Sequence, residues 1–184
     1  MKKNALVFLL VVIFAWLPAA GQVSEGKAME QSSATVAAEQ LRLAVYAATL
    51  ALLSPTSADQ RLHTQQVINI LEGANGADFV PLAAEGDEQG LLDRLTVLLR
   101  RIDRLDLEPK ARARARFIAK SVLLLLTFAR DEALSVLETH NREEAFAGML
   151  KVYAYLDAAL GQAGSPVYLG GLTLLLRILP PGTG

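Results

Sequence analysis

The residues best suited to chemistry in this chain are its two histidines, His63 and His140, and a run of oxygen donors after the first of them: Glu72, Asn75, Asp78, Glu85, Asp87 and Glu88. An imidazole can act as a general base or bind a transition metal. Carboxylates and amides at this density offer hard ligands for calcium. Neither set completes a known pattern. A di-metal carboxylate bundle uses Glu-x-x-His turns, and the chain has none. A zinc site built on thiolates needs cysteine, and there is none. Gly-x-Ser-x-Gly, a complete phosphate loop and the dinucleotide fingerprint are also missing. The oxygen donors between Glu72 and Glu88 do not alternate as an EF-hand loop requires. The sequence therefore predicts a protein with no catalytic residues and no cofactor, whose candidate cation ligands are Glu72, Asn75, Asp78, Glu85 and His63.

The elements that must hold these residues are helical. On a 100° helical wheel, Val67, Ile68, Ile70 and Leu71 share a face with His63, while Gln65, Asn69 and Glu72 point the other way. This places His63 at a core edge, hydrogen-bonded to a neighbouring helix. Gly73 stands where a helix end favours a left-handed residue, and Asn75-Gly76 is a turn signal. The connection up to Gln89 is longer than usual, which fits either a cation loop or a structural loop with Phe79 packed on the bundle.

Six helices are predicted in all. The first, about 33–53, becomes apolar on nearly every side from Leu43 onward and ends at Ser54-Pro55. Ser57 and Gln60 read as a capping box for the second, about 58–72. The third, about 88–106, carries the stripe Leu91, Leu92, Leu95, Leu98, Leu99, Ile102 and Leu105. Pro109 opens a long fourth to about Thr139, whose centre "SVLLLLTFA" is too short to span a bilayer and reads as the central core helix. Asn141 and Glu144 begin the fifth, about 142–162. Ser165-Pro166 begins the sixth, with Gly170-Gly171 expected to bend it or to let another backbone pass close by. No stretch alternates as a strand does, so the fold class is all-α, a bundle of about six helices.

"LTVLLR" at 95–100 recurs as "LTLLLR" at 172–177, which points to two pseudo-repeated three-helix units within one domain spanning 33–180. The run Lys110, Arg112, Arg114, Arg116 is the one concentration of charge. Alternate residues of a helix lie about 200° apart, so Lys110 and Arg114 share one side and Arg112 and Arg116 the other.

Compartment is set by the first residues. Lys2 and Lys3 precede the apolar run "ALVFLLVVIFAWL" and then the small residues Ala19, Ala20 and Gly21. The pattern is that of a secretory signal peptide over 1–21 with cleavage before Gln22, leaving no permanent membrane anchor. Residues 22–32 are polar and read as a flexible lead-in, and 181–184 as a disordered tail. Losing Lys2 and Lys3 takes the formal charge from −1 to −3. A mildly acidic chain lacks the electrostatic excess of a nucleic-acid binder. Stability has to come from burial, since no disulfide can form.

The stretch "HTQQVINILEGANGADF" at 63–79 resembles a segment of exported bacterial helical proteins of unknown function. In these a His-bearing helix ends in Asn-x-x-Glu-Gly and is followed by Gly-x-Asp and an aromatic. The matching residues are His63, Asn69, Glu72, Gly73, Gly76, Asp78 and Phe79, with Gly90-Leu91-Leu92 resuming the pattern. Where that family continues with Asp-Gly pairs, this chain has "VPLAAEGDEQ". The resemblance implies an exported bundle and brings no activity with it. The resulting expectation is a periplasmic or extracellular binding module with a protein or small-molecule partner. The alternative is a carrier or sensor of a metal ion or small molecule.

Overall fold

The computed structural model describes residues 20–83, 88–161 and 171–180, and within them the chain forms six α-helices, one short 3-10 turn and no strand. The helices are α1 (Ala20–Leu53), α2 (Ser57–Glu72), α3 (Leu91–Ile102), α4 (Pro109–Glu138), α5 (Arg142–Leu160) and α6 (Leu172–Ile178). Most of the predicted signal peptide, the predicted start of the sixth helix at Ser165-Pro166 and the tail 181–184 lie outside the described residues.

Residues 22–32, expected as a lead-in, are helical, since α1 runs through them from Ala20. Once a helix is nucleated, extending it needs only permissive residues, and Glu25, Lys27, Ala28, Met29, Glu30 and Gln31 are good helix formers with no proline among them. At its other end Ser54 Oγ donates to Leu50 O at 2.8 Å before Pro55 stops the chain. The cap of α2 sits one residue earlier than expected. Thr56 Oγ1 accepts from Asp59 N at 3.1 Å and donates to Asp59 Oδ2 at 2.6 Å, so Thr56 and Asp59 take the place expected for Ser57 and Gln60, with both bonds made by the Thr56 hydroxyl. α3 is shorter than predicted. Gly90 caps it and the chain turns at Asp103. α5 starts as read, with Asn141 Oδ1 accepting from Glu143 N and Glu144 N.

The four long helices form a ring. α1 packs on α2 and α5, and α4 packs on the same two, so α2 and α5 face each other across the diagonal. α4 and α5 are antiparallel, because Val136 meets Gly148, Glu132 meets Lys151 and Phe128 meets Tyr155 in turn. α3 and α6 each pack against both α1 and α4. The core between these layers is rich in small residues: Ala34, Ala37, Ala38, Ala44, Ala48 and Ala51 on α1, and Ala115, Ala119, Ala129 and Ala133 on α4, all fully or almost fully buried. Small side chains let helices come close, as at Gly148, where a Cβ would stand 2.5 Å from Val136 Cγ2. Leu41, Ile68, Leu71, Leu95, Leu126, Met149 and Leu156 fill the remaining volume, each burial being worth about 1.5 to 3 kcal/mol.

The predicted stripe of α3 faces inward, and α5 buries a matching face. Leu91, Leu95, Leu98, Ile102 and Leu105 are buried, as are Ala145, Met149, Val152 and Leu156, while Leu92, Leu99, Tyr153 and Leu160 pack at the edge of the core. The central stretch of α4 is only partly core. Val122 and Leu126 are buried, but Leu124 and Phe128 are about half exposed.

Candidate functional site

The loop after α2 is a built structure. Gly73 adopts φ 73° and ψ 175° and donates its N–H to Asn69 O at 2.8 Å. This is a region only glycine enters freely, and it is further from the helical basin than the left-handed cap expected here. Gly73 and Gly90 lie in backbone contact, so neither has room for a side chain. Asn69, expected on the solvent side, is fully buried. The loop folds back over that face, and Asn69 pairs with both backbone groups of one residue: Nδ2 donates to Val80 O at 2.8 Å and Oδ1 accepts from Val80 N at 3.0 Å. Gln65 Nε2 also bridges Asn69 Oδ1 and Asp78 O.

The candidate cation ligands are mostly engaged in holding this loop. Glu72, with its side chain 8% exposed, accepts from Asp78 N at 3.0 Å and faces Arg130 Nη1 at 3.9 Å. Asn75 Nδ2 reaches Glu88 O at 3.4 Å. Asp78 is exposed, with its backbone used twice. Glu85 lies outside the described residues. His63 Nδ1 pairs with Gln66 Oε1 at 2.7 Å, one turn along the same helix and not on a neighbouring one. Asp59, one turn before His63, is held by Thr56. Among the described residues no three His, Asp or Glu side chains come together as a metal site. The Arg130 guanidinium beside the loop is raised above its ordinary value, chiefly by its hydrogen bond to Asp131 and with help from Glu72 and Asp78.

The basic run divides as its spacing predicts. Arg112 Nη2 donates to Leu105 O and Leu107 O, and Arg116 pairs with Asp103 at 3.1 Å, so both bind the corner between α3 and α4. Lys110 and Arg114, on the other side, are exposed.

A second region was not foreseen. Because α2 and α5 begin at the same end of the bundle on opposite corners, a cleft of about 230 Å³ opens between their first turns. Arg61 and Arg142 line it, with Ser57 and His140, over an apolar floor of Val136 and Ala145. Arg142 Nη2 donates to Pro55 O at 2.9 Å and His140 Nδ1 pairs with Glu138 O at 3.1 Å. Gln60 closes the inner wall. It is 6% exposed, and its carboxamide has no hydrogen-bond partner among the described residues. The burial of Gln60, though not the cleft, was legible in the sequence. Gln60 and Thr64 continue the stripe of Val67 and Leu71 at helical spacing, so a polar side chain had to lie on the buried face.

The outer surface of α1 is the third feature. No charged residue occurs between Arg42 and Asp59, and Leu43, Tyr46 and Leu53 are 50%, 62% and 74% exposed on the side away from the core, with Leu50 between them half-buried. Phe117, Leu124 and Phe128 form a similar exposed stripe on α4, where the Phe128 and Tyr155 rings lie 5.7 Å apart. Comparison with known proteins gives no match, whether to a protein-family model, a curated protein or a solved structure.

Proposed function

We propose that the protein is an exported, non-catalytic helical bundle whose role is to dock a protein partner on the outward face of α1. The observation that carries this reading is the row Leu43, Tyr46, Leu50 and Leu53, which leaves large apolar side chains in water along three turns with no charge among them. Contiguous apolar surface of this kind marks interaction sites, and an exposed aromatic at its centre is the residue type that anchors interfaces. Ser33–Leu53 is long and apolar enough to cross a membrane. Its inner side, however, is the alanine-lined surface on which α2 and α5 pack, which favours the reading as a bundle helix. Export rests on the basic, apolar and small-residue order of residues 1–21.

A photo-crosslinking residue at position 46, introduced in the native host, tests this. A discrete adduct with another polypeptide is expected, lost on Leu43→Lys, and no adduct from the same probe at the exposed Arg104. Adducts with lipid alone, or none from position 46, would sink the reading.

We infer as well that the bundle consists of two pseudo-repeated units, α1 to α3 and α4 to α6. Exchanging the units maps each helix neighbourhood onto another, as α1 with α5 onto α4 with α2, and α1 with α3 onto α4 with α6. The buried positions Leu95, Leu98 and Ile102 recur in phase as Leu172, Leu175 and Leu179. Each unit also closes its last loop with a glycine pair, Gly73 with Gly90 and Gly161 with Gly171.

A further inference from the structure

We propose that the cleft between the first turns of α2 and α5 binds a small oxyanion, a carboxylate or phosphate group on a body small enough for about 230 Å³. The proposal goes beyond the docking face of α1 and uses none of its residues.

Gln60 is the observation that points to a ligand. Buried polar side chains are nearly always hydrogen-bonded, so one without a partner needs an explanation. Gln60 as a whole is 94% buried, but its carboxamide is not sealed in, since Arg112 Nε is the one fully enclosed side-chain polar atom without a partner among the described residues. Its polar end therefore opens into the cleft that it lines. A ligand oxygen at that place would accept from Gln60 Nε2 and give the carboxamide the bond it lacks.

The surroundings select for negative charge. α2 and α5, of 16 and 19 residues, both direct their N-terminal ends to this place, and the partial positive charge of helix N-termini favours anions. Their caps satisfy Asp59 N, Glu143 N and Glu144 N and leave the earlier amides of each first turn for a ligand. Arg61 is exposed and forms no ion pair among the described residues. Arg142 commits only Nη2 to the Ser54 and Pro55 carbonyls, which leaves Nη1 and Nε. Arginine is suited to oxyanions because its planar donors match two oxygens at once. The nearby acids Asp59, Glu138, Glu143 and Glu144 do not line the cleft. Asp59 and Glu144 are moreover turned to Thr56 and to Thr139 and Asn141. Val136 and Ala145 give the floor an apolar surface against which a short hydrocarbon body could rest.

Isothermal titration calorimetry of the purified protein with sodium phosphate, and separately with sodium butyrate, at an ionic strength matched with chloride, tests the proposal and distinguishes the two sources of oxyanion. Saturable one-to-one binding of at least one of them is expected. Arg61→Gln, at an exposed position where the fold is retained, should weaken it by about tenfold, the scale of one charge-assisted hydrogen bond. Gln60→Leu should remove most of the affinity while leaving the helical circular dichroism unchanged, and if that variant does not fold, Arg61→Gln carries the test alone. Absence of binding by both anions, or an affinity that Arg61→Gln leaves unchanged, would overturn it.

Discussion

Gly73 and Asp78 lie in the same loop and do opposite things. At Gly73 the φ of 73° and the contact with Gly90 leave no room for a Cβ. Gly73→Ala should therefore cost about 2 to 4 kcal/mol, combining backbone strain with the displacement of Gly90. Asp78 gives the loop only its backbone, so Asn75→Ala with Asp78→Ala should cost less than about 1 kcal/mol. Chemical denaturation of both variants measures the contrast. If the loop held calcium at saturation, at a hundredfold its Kd, the wild type would gain about 2.7 kcal/mol. We expect no shift in Tm in millimolar calcium, because Glu72 is already engaged with Asp78 N and Arg130. A shift that vanishes in the double variant would revive the loop as a cation site.

At the level of elements, what the sequence made legible was whatever depends on local spacing. The stripe of α3, the Asn141 cap and the stops at Pro55 and Gly73 are all decided within a few residues. What it concealed depends on who packs against whom. Asn69 looked solvent-facing because a helical wheel shows two faces and cannot show a loop returning over one of them. His63 looked like a tie between helices, yet Gln66 was within reach on its own. The cleft was invisible for the same reason, since no spacing argument brings Gln60 next to Arg142. The two copies of the recurring hexapeptide bury the same positions, Leu95 and Leu98 in α3 and Leu172 and Leu175 in α6. Leu98→Ala and Leu175→Ala should each destabilise by about 2 to 5 kcal/mol, as deletions in a packed core do. Melting curves that place Leu175→Ala within the range of a surface substitution would mean that α6 only decorates the bundle.

Across the whole molecule, each unit completes the other. α1 packs on α5 and α6, while α4 packs on α2 and α3, so neither three-helix unit buries its first helix alone. Cutting the chain in the turn between α3 and α4, after Leu107, should give two fragments that are poorly ordered apart and form a one-to-one complex when mixed. Circular dichroism and size-exclusion chromatography would report this, and a fragment that folds alone as a monomer would refute it.

The paired glycines bring one more consequence. At Gly73 with Gly90, and again at Gly161 with Gly171, where a Cβ on Gly171 would stand 2.6 Å from Gly161 N, the two ends of a connection touch. A detour whose two ends touch makes few demands on its own length, because doubling such a segment costs only about 0.6 kcal/mol in closure entropy. The bundle thus has two doorways. Either one would take a longer segment while the helices on both sides keep their register, provided that at the first Val80 stays on Asn69 and Asp78 on Glu72.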